Sequence, residues 1–309
     1  MLILKTLSSG LDQKLLPPLS GAAILKKMDM GQFKQVLKKH EANSRPTPDE
    51  YINYIEEFKF SLLGGEVPIL GKKSHRKRIN EPALLLLFLE FINELAERFH
   101  YVVLDTPAGG VNHLSSLMNT IDQVIFIFDM SNNIAVNGSI DALHSFIDYY
   151  EDFYQDYQQG RLSGLDKAYV NRMVASKGEV AVAEILANKK FGIIFNRCKQ
   201  SKEIANCLDQ LREYLDTLDR FDDYKDRIHM VGMVPHHKII NITNNRGTLF
   251  YGKDSALSNR INLVAENIIN ENKFCPTISN SNNEIIQFLK KNGKGSLLSN
   301  FKRMASSLG

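Results

Sequence analysis

The sequence predicts an α/β fold: a mainly parallel, twisted sheet with helices on both faces, followed by a separate amphipathic helix at the C-terminus. Three observations predict it. Short, continuous apolar runs have the length of strands buried on both faces, longer helical stretches lie between them, and Gly, Pro and Asn punctuate the joins.

Taken in order, the strand candidates are "FKFSLL" (58–63), "YVVLD" (101–105), "QVIFIFD" (123–129), "FGIIFN" (191–196) and "HMVGMV" (229–234). The stretch "EPALLLLFLEFINELAERF" (81–99) reads as a helix, with Pro82 in its first turn where a missing N–H costs nothing. The segment from Ala135 to about Gln158 and the stretch 202–218 also read as helices. Residues 149–189, rich in aromatics early and carrying "GRLSGLD" in the middle, read as an enlarged helical connection. Tyr149, Tyr150, Phe153, Tyr154 and Tyr157 suit a packing face better than a base-stacking platform. Strands alternating with helices imply βαβ units with right-handed crossovers.

Composition sets the bounds. A chain of 309 residues with 43% hydrophobic content is long and apolar enough for a substantial core. Its three cysteines, Cys198, Cys207 and Cys275, are odd in number and lack a C-x-x-C spacing, so neither a disulfide framework nor a zinc or iron–sulfur centre is expected. Neither a membrane-spanning run nor a secretory n-region is apparent, and a reducing cytoplasm is the expected setting. The net charge of +3 hides an asymmetry, because five basic residues and no acid follow Glu284. The body before them is mildly acidic, which argues against a nucleic-acid surface spread over the whole domain. One basic cluster, "GKKSHRKR" (71–78), stands apart.

The division expected along the chain is a divergent N-terminal part (1–57), an α/β domain (58–275), a polar linker (276–295) that opens with "PTISNSNN", and a basic amphipathic tail (296–309).

The stretch "YVVLDTPAGG" (101–110) ends an apolar run with an acid. In open α/β sheets ligands lie outside the carboxyl ends of the strands, so Asp105 falls at the lip of such a crevice. The same residue type also suits a helix N-cap. "DTPAG", then "IDQVIFIFDMS", "FGIIFNR" and "IHMVGMVPHHKIINITNNRGTLFYGKDSALSNRI" follow one another in an order that resembles the MinD/ParA group of P-loop ATPases over roughly residues 58–270. Members of that group position division, flagellar or chromosomal cargo in bacteria. The resemblance implies a three-layer P-loop NTPase-like fold with ATP and Mg2+ as cofactors. It assigns Asp105 to magnesium through water, and Thr106, Pro107, Ala108 and Gly109 to the switch that senses the γ-phosphate. It assigns Asn196 to the adenine edge, with Arg197 beside it and Pro235 packing near the base. An amide supplies both the donor and the acceptor such an edge needs, while an ordinary turn role is the alternative for Asn196.

The family's lysine-rich glycine loop, which cradles phosphates, is not found. "GEVPILGKKS" (65–74) has too many residues between its glycines and an extra lysine before Ser74; "MLILKTLSSGLDQK" (1–14) lacks the second glycine. A third reading takes residues 2–5 as the family's second strand, so that the chain starts downstream of the loop. The sheet then needs something to cover the place of the missing strand, and residues 1–50 or a partner chain are the candidates. An ATPase of this class without that loop loses most of its electrostatic stabilisation.

In the tail, Leu297, Phe301, Met304 and Leu308 recur at steps of 4, 3 and 4, forming one apolar stripe, with Lys302 and Arg303 off it. That pattern suits an interfacial helix on an anionic membrane, and MinD-branch proteins carry a tail of similar character. Docking on its own domain or on a partner is the alternative. Adjacent His236 and His237 lack the i, i+4 spacing of a metal-binding helix.

Three functions are expected from these features. The first is a nucleotide-dependent positioning protein, cytoplasmic and peripheral at the inner face of the membrane, with a nucleotide-dependent homodimer and a regulator or cargo protein as partners. The second is a non-catalytic adaptor of the same fold. The third is a DNA-associated partition protein, resting on "GKKSHRKR".

Overall fold

A computed structural model describes residues 2–5, 22–26, 52–55, 60–64 and 101–104, then 121–217, 221–245 and 253–290, with Asn119 and Tyr251. The chain divides into two compact units, one of residues 1–124 and 146–189, the other of 125–145 and 190–309.

In the first unit the strands are β1 (Leu2–Lys5), β2 (Ala22–Lys26), β3 (Ile52–Ile55), β4 (Phe60–Gly64), β5 (Tyr101–Leu104) and the start of β6 (Gln123–Asp129). Their order is β3-β4-β2-β5-β1-β6. β2 is parallel to both β4 and β5, as βαβ alternation predicts, while β3 folds back antiparallel on β4. β2 and β3 are not among the strands expected from sequence. "AAILK" and "INYI" are too short to carry a period of their own.

Residues 2–5, expected as a strand, form β1. β1 lies between β5 and β6 and is antiparallel to both, with Leu2 opposite Leu104 on one side and Val124 on the other. The physical reason is pairing. β5 and β6 are continuous apolar runs whose backbone N–H and C=O groups need partners on both edges, and each buried group left unmatched costs about 1–3 kcal/mol. β1 supplies those partners.

Helices α1 (Asn133–Gln158), α2 (Gly164–Lys177) and α3 (Glu179–Ala187) follow β6 and form the enlarged connection. On the second half of α1, Phe146, Tyr150 and Phe153 recur at helical spacing and are buried. The Tyr150 ring lies 6.2 Å from Phe146 and 6.0 Å from Phe153, and its hydroxyl donates to the carbonyl of Leu186 at 2.6 Å. α2 buries Tyr169, Val170 and Met173, and α3 buries Val182 and Leu186.

The second unit holds the rest of β6 with β7 (Lys190–Cys198) and β8 (Ile228–Pro235), in the order β6-β7-β8 with β7 and β8 parallel. Helices α4 (Ser201–Leu215), α5 (Lys238–Asn245), α6 (Ser255–Ile269) and α7 (Asn282–Lys290), with a single helical turn at Phe221–Tyr224, belong to it. α6 approaches β8 closely because Gly232 has no side chain: a Cβ there would stand 2.3 Å from Cγ2 of Val264.

In the stretch expected as a polar linker from 276, the chain pairs with β8 and then forms α7. Met230 N–H donates to Pro276 C=O at 2.8 Å, and Ile278 N–H donates to Ile228 C=O at 3.0 Å. Arg212 on α4 donates to the carbonyls of Ile278 and Asn280 and to the side-chain oxygen of Asn282. The polar residues here serve as caps and ties, with Glu284 accepting from the N–H of Ser281 at the start of α7. Ile278, Ile285 and Leu289 are buried.

The expected helix 81–99, the loops "GEVPILGKKS" and "GKKSHRKR", and the tail 296–309 lie outside the described residues. No described helix is long and apolar enough to cross a membrane.

Candidate functional site

The site is built where β6, β7 and β8 end in the second unit. β6 is a seven-residue strand whose five-residue apolar run, 124–128, stops at Asp129, and its successor loop turns sharply into α1. One oxygen of the Asp129 carboxylate accepts the N–H of Ser131 at 3.0 Å, and the side-chain oxygen of Asn132 accepts the N–H of Ala135 at 2.9 Å, capping α1.

β7 ends in a bulge. Asn196 is opposite Val234 and Cys198 is opposite Pro235, so Arg197 is the extra residue, and its φ of 61° lies in the left-handed region. The loop beyond is tied down by Glu203, whose carboxylate accepts the N–H groups of Lys199 at 2.9 Å and Gln200 at 3.2 Å. β8 ends at Pro235, which has no N–H to continue the ladder.

Hydrogen bonds fasten these ends to one another. Met130 N–H donates to Asn196 C=O at 2.8 Å, and His236 N–H donates to Cys198 C=O at 2.9 Å. Asp129 and Arg197 form an ion pair at 3.3 Å. His237 Nδ1 accepts the N–H of Ile239, which leaves Nε2 as the protonated nitrogen facing Asp254 at 3.5 Å. Asp254 in turn caps α6 by accepting the N–H of Leu257 at 2.8 Å.

Three of the residues singled out from sequence, Asn196, Arg197 and Pro235, therefore converge on one edge. Asn196 is half-buried, and among the described residues its side-chain amide has no hydrogen-bond partner. An uncommitted amide offers a donor and an acceptor, and the guanidinium of the next residue offers a planar cation.

Asp105, Thr106, Pro107, Ala108 and Gly109 lie outside the described residues, as do Leu297, Phe301, Lys302, Arg303, Met304 and Leu308. In the first unit β2, β4 and β5 run parallel, so β4 ends on the same edge of the sheet as β5, just before "GEVPILGKKS". β1 runs the other way, and its last residue, Lys5, is opposite Tyr101 at the start of β5.

Asp129 and Asp254 have no role among the expectations from sequence, and His237 enters them only as a residue without the spacing of a metal ligand. Asp129 carries the pattern that drew attention to Asp105, an acid closing an apolar strand. His237 and Asp254 give no local signal, because they are 17 residues apart and meet only when β8 and α6 pack.

No family model and no curated protein matches the chain. Among solved structures, an ATP complex of an McdA variant from Cyanothece is similar, with 13% identity over 82% of this chain and 97% of that chain and a TM-score of 0.43.

Proposed function

We propose that the chain is a nucleotide-dependent positioning protein of the MinD/ParA kind, with the purine base held by Asn196, Arg197 and Pro235. The observation that carries this reading is the uncommitted Asn196 amide on an edge fastened by the Met130, His236 and Arg197 contacts. A rigid rim with one free donor–acceptor group is what a ligand needs and what a plain turn does not. ATP with magnesium is the cofactor this reading implies. Asp105 is the metal's expected holder by resemblance, and the metal's chemistry is neutralisation of phosphate charge. The tail, with its apolar stripe and Lys302 and Arg303, attaches the protein to an anionic membrane surface at the cytoplasmic face, and a nucleotide-dependent homodimer accompanies the reading.

A second reading, a non-catalytic adaptor, has its own support. β1 runs antiparallel to its neighbours. A phosphate loop of the P-loop kind follows a strand parallel to the rest and opens a helix at the carboxyl edge. The chain leaves β1 at the opposite edge.

Equilibrium binding of a fluorescent ATP analogue with magnesium, with Asn196→Ala alongside, tests the first reading. Micromolar binding that the variant loses supports it, and no binding by the parent leaves the adaptor. Sedimentation with anionic liposomes tests the tail: Phe301→Glu removes the pelleting, and a variant that pellets like the parent overturns membrane attachment.

A further inference from the structure

We propose that Asp129 is the positioning residue of the base pocket, holding the Arg197 guanidinium at the strand edge beside Asn196 so that its plane is set to stack on a purine. The inference rests on the nucleotide reading above and adds a residue that reading does not contain.

Three observations lead to it. First, Arg197 occupies a bulge with a φ of 61°, a conformation that glycine adopts freely and that costs a larger residue about 1 kcal/mol. A bulge at a strand end re-aims the side chain it carries, and here that side chain is the Arg197 guanidinium, paired with Asp129. Second, the partner is itself immobilised. Asp129 spends one carboxylate oxygen on the N–H of Ser131, so the other faces Arg197 in a fixed direction at 3.3 Å. Third, the two strand ends are locked at the same level by the Met130 to Asn196 backbone hydrogen bond, so the carboxylate, the guanidinium and the free amide belong to one rigid rim.

The guanidinium is half exposed, and an exposed ion pair alone stabilises a fold little. Its effect falls on binding instead. A long side chain that must be ordered by its ligand loses rotamer freedom at that moment, and one already held by a neighbour loses less. Arginine suits the task because its flat cation lies on an aromatic face while its N–H groups bond sideways to a carboxylate.

The test separates the turn from the pair. Asp129→Asn keeps an oxygen for the Ser131 N–H and removes the charge that holds Arg197. The expected result is binding of the fluorescent ATP analogue about fivefold weaker, the upper range for an exposed pair, with an unchanged melting temperature. Arg197→Ala weakens binding by at least as much, and adding Asp129→Asn to it has no further effect, since the carboxylate acts through the guanidinium. Before any ligand is added, the Arg197 Nε–H resonance of the parent is distinct and that of Asp129→Asn is averaged.

Unchanged binding by Asp129→Asn, with binding still lost in Asn196→Ala, overturns this proposal and leaves the nucleotide reading standing. Additive effects of the two substitutions, or an averaged Arg197 resonance in the parent, overturn it equally. Failure of the parent to bind any nucleotide removes both.

Discussion

The Nζ of Lys189, on a residue only 1% exposed, donates to the backbone carbonyl of Asn119 at 3.3 Å and also to that of Ile121. The lysine precedes β7 and ties down the segment that leads into β6. Its long stem is buried, and its head group gives two backbone carbonyls a donor.

This contact predicts a pH dependence of stability. Burial pushes the Lys189 amine from 10.5 down to about 7. Between those values the folded state binds fewer protons than the unfolded chain, so stability is lowest below about pH 7 and rises toward pH 10. The buried thiols of Cys198, Cys207 and Cys275 are pushed from 9.0 up to about 12, so their contribution is full below pH 9 and is lost above it. The clean window is therefore pH 7 to 8.5. Unfolding free energies from urea titrations there rise with pH in the parent by up to ~1.4 kcal/mol per pH unit, and Lys189→Met flattens the slope. Equal slopes in both proteins refute the assignment.

Tyr150 combines a fully buried ring with a hydroxyl bonded to the Leu186 carbonyl near the end of α3. Tyr150→Phe keeps the ring and strands that carbonyl. Thermal denaturation should show a loss of about 1–3 kcal/mol, the cost of a buried group without its partner.

Gly232 sets the distance between β8 and α6. Gly232→Ala drives a methyl into Val264 and destabilises by about 1–3 kcal/mol. Adding Val264→Ala opens the space and restores part of the loss, so a double-mutant cycle shows strong coupling. Additive effects place the clash elsewhere.

Arg212 holds residues 278–282 against α4 through three acceptors. Arg212→Ala leaves those oxygens to water and costs on the order of 2 kcal/mol. Hydrogen exchange monitors the release: amides of 278–290 lose protection while those of β7 keep it.

Much of the second unit was legible in advance. "QVIFIFD" matches β6 residue for residue, and the runs at 191–196 and 229–234 fall inside β7 and β8, because strands buried over most of both faces read as near-continuous apolar runs. Asn196 and Pro235 stand at or near the ends of such runs, and their assignment to a base is what the resemblance implies. "PTISNSNN" was misleading for a physical reason: Asn and Ser favour turns and caps, and a linker and a tightly capped helix start draw on the same residues. The pairing of β1 was not legible either. Four apolar residues specify a strand and leave its direction open.

By itself, the sequence determined the class of this protein, the positions of its long apolar strands and helices, and which residues end those strands. These depend on local periodicity, which each segment carries alone. Only the tertiary structure decided that β1 lies antiparallel between β5 and β6, that Arg197 stands on a bulge against Asp129, and that His237 faces Asp254. Each of those depends on which partner a backbone edge or a charge meets after distant segments pack, and no single stretch of the chain encodes a partner.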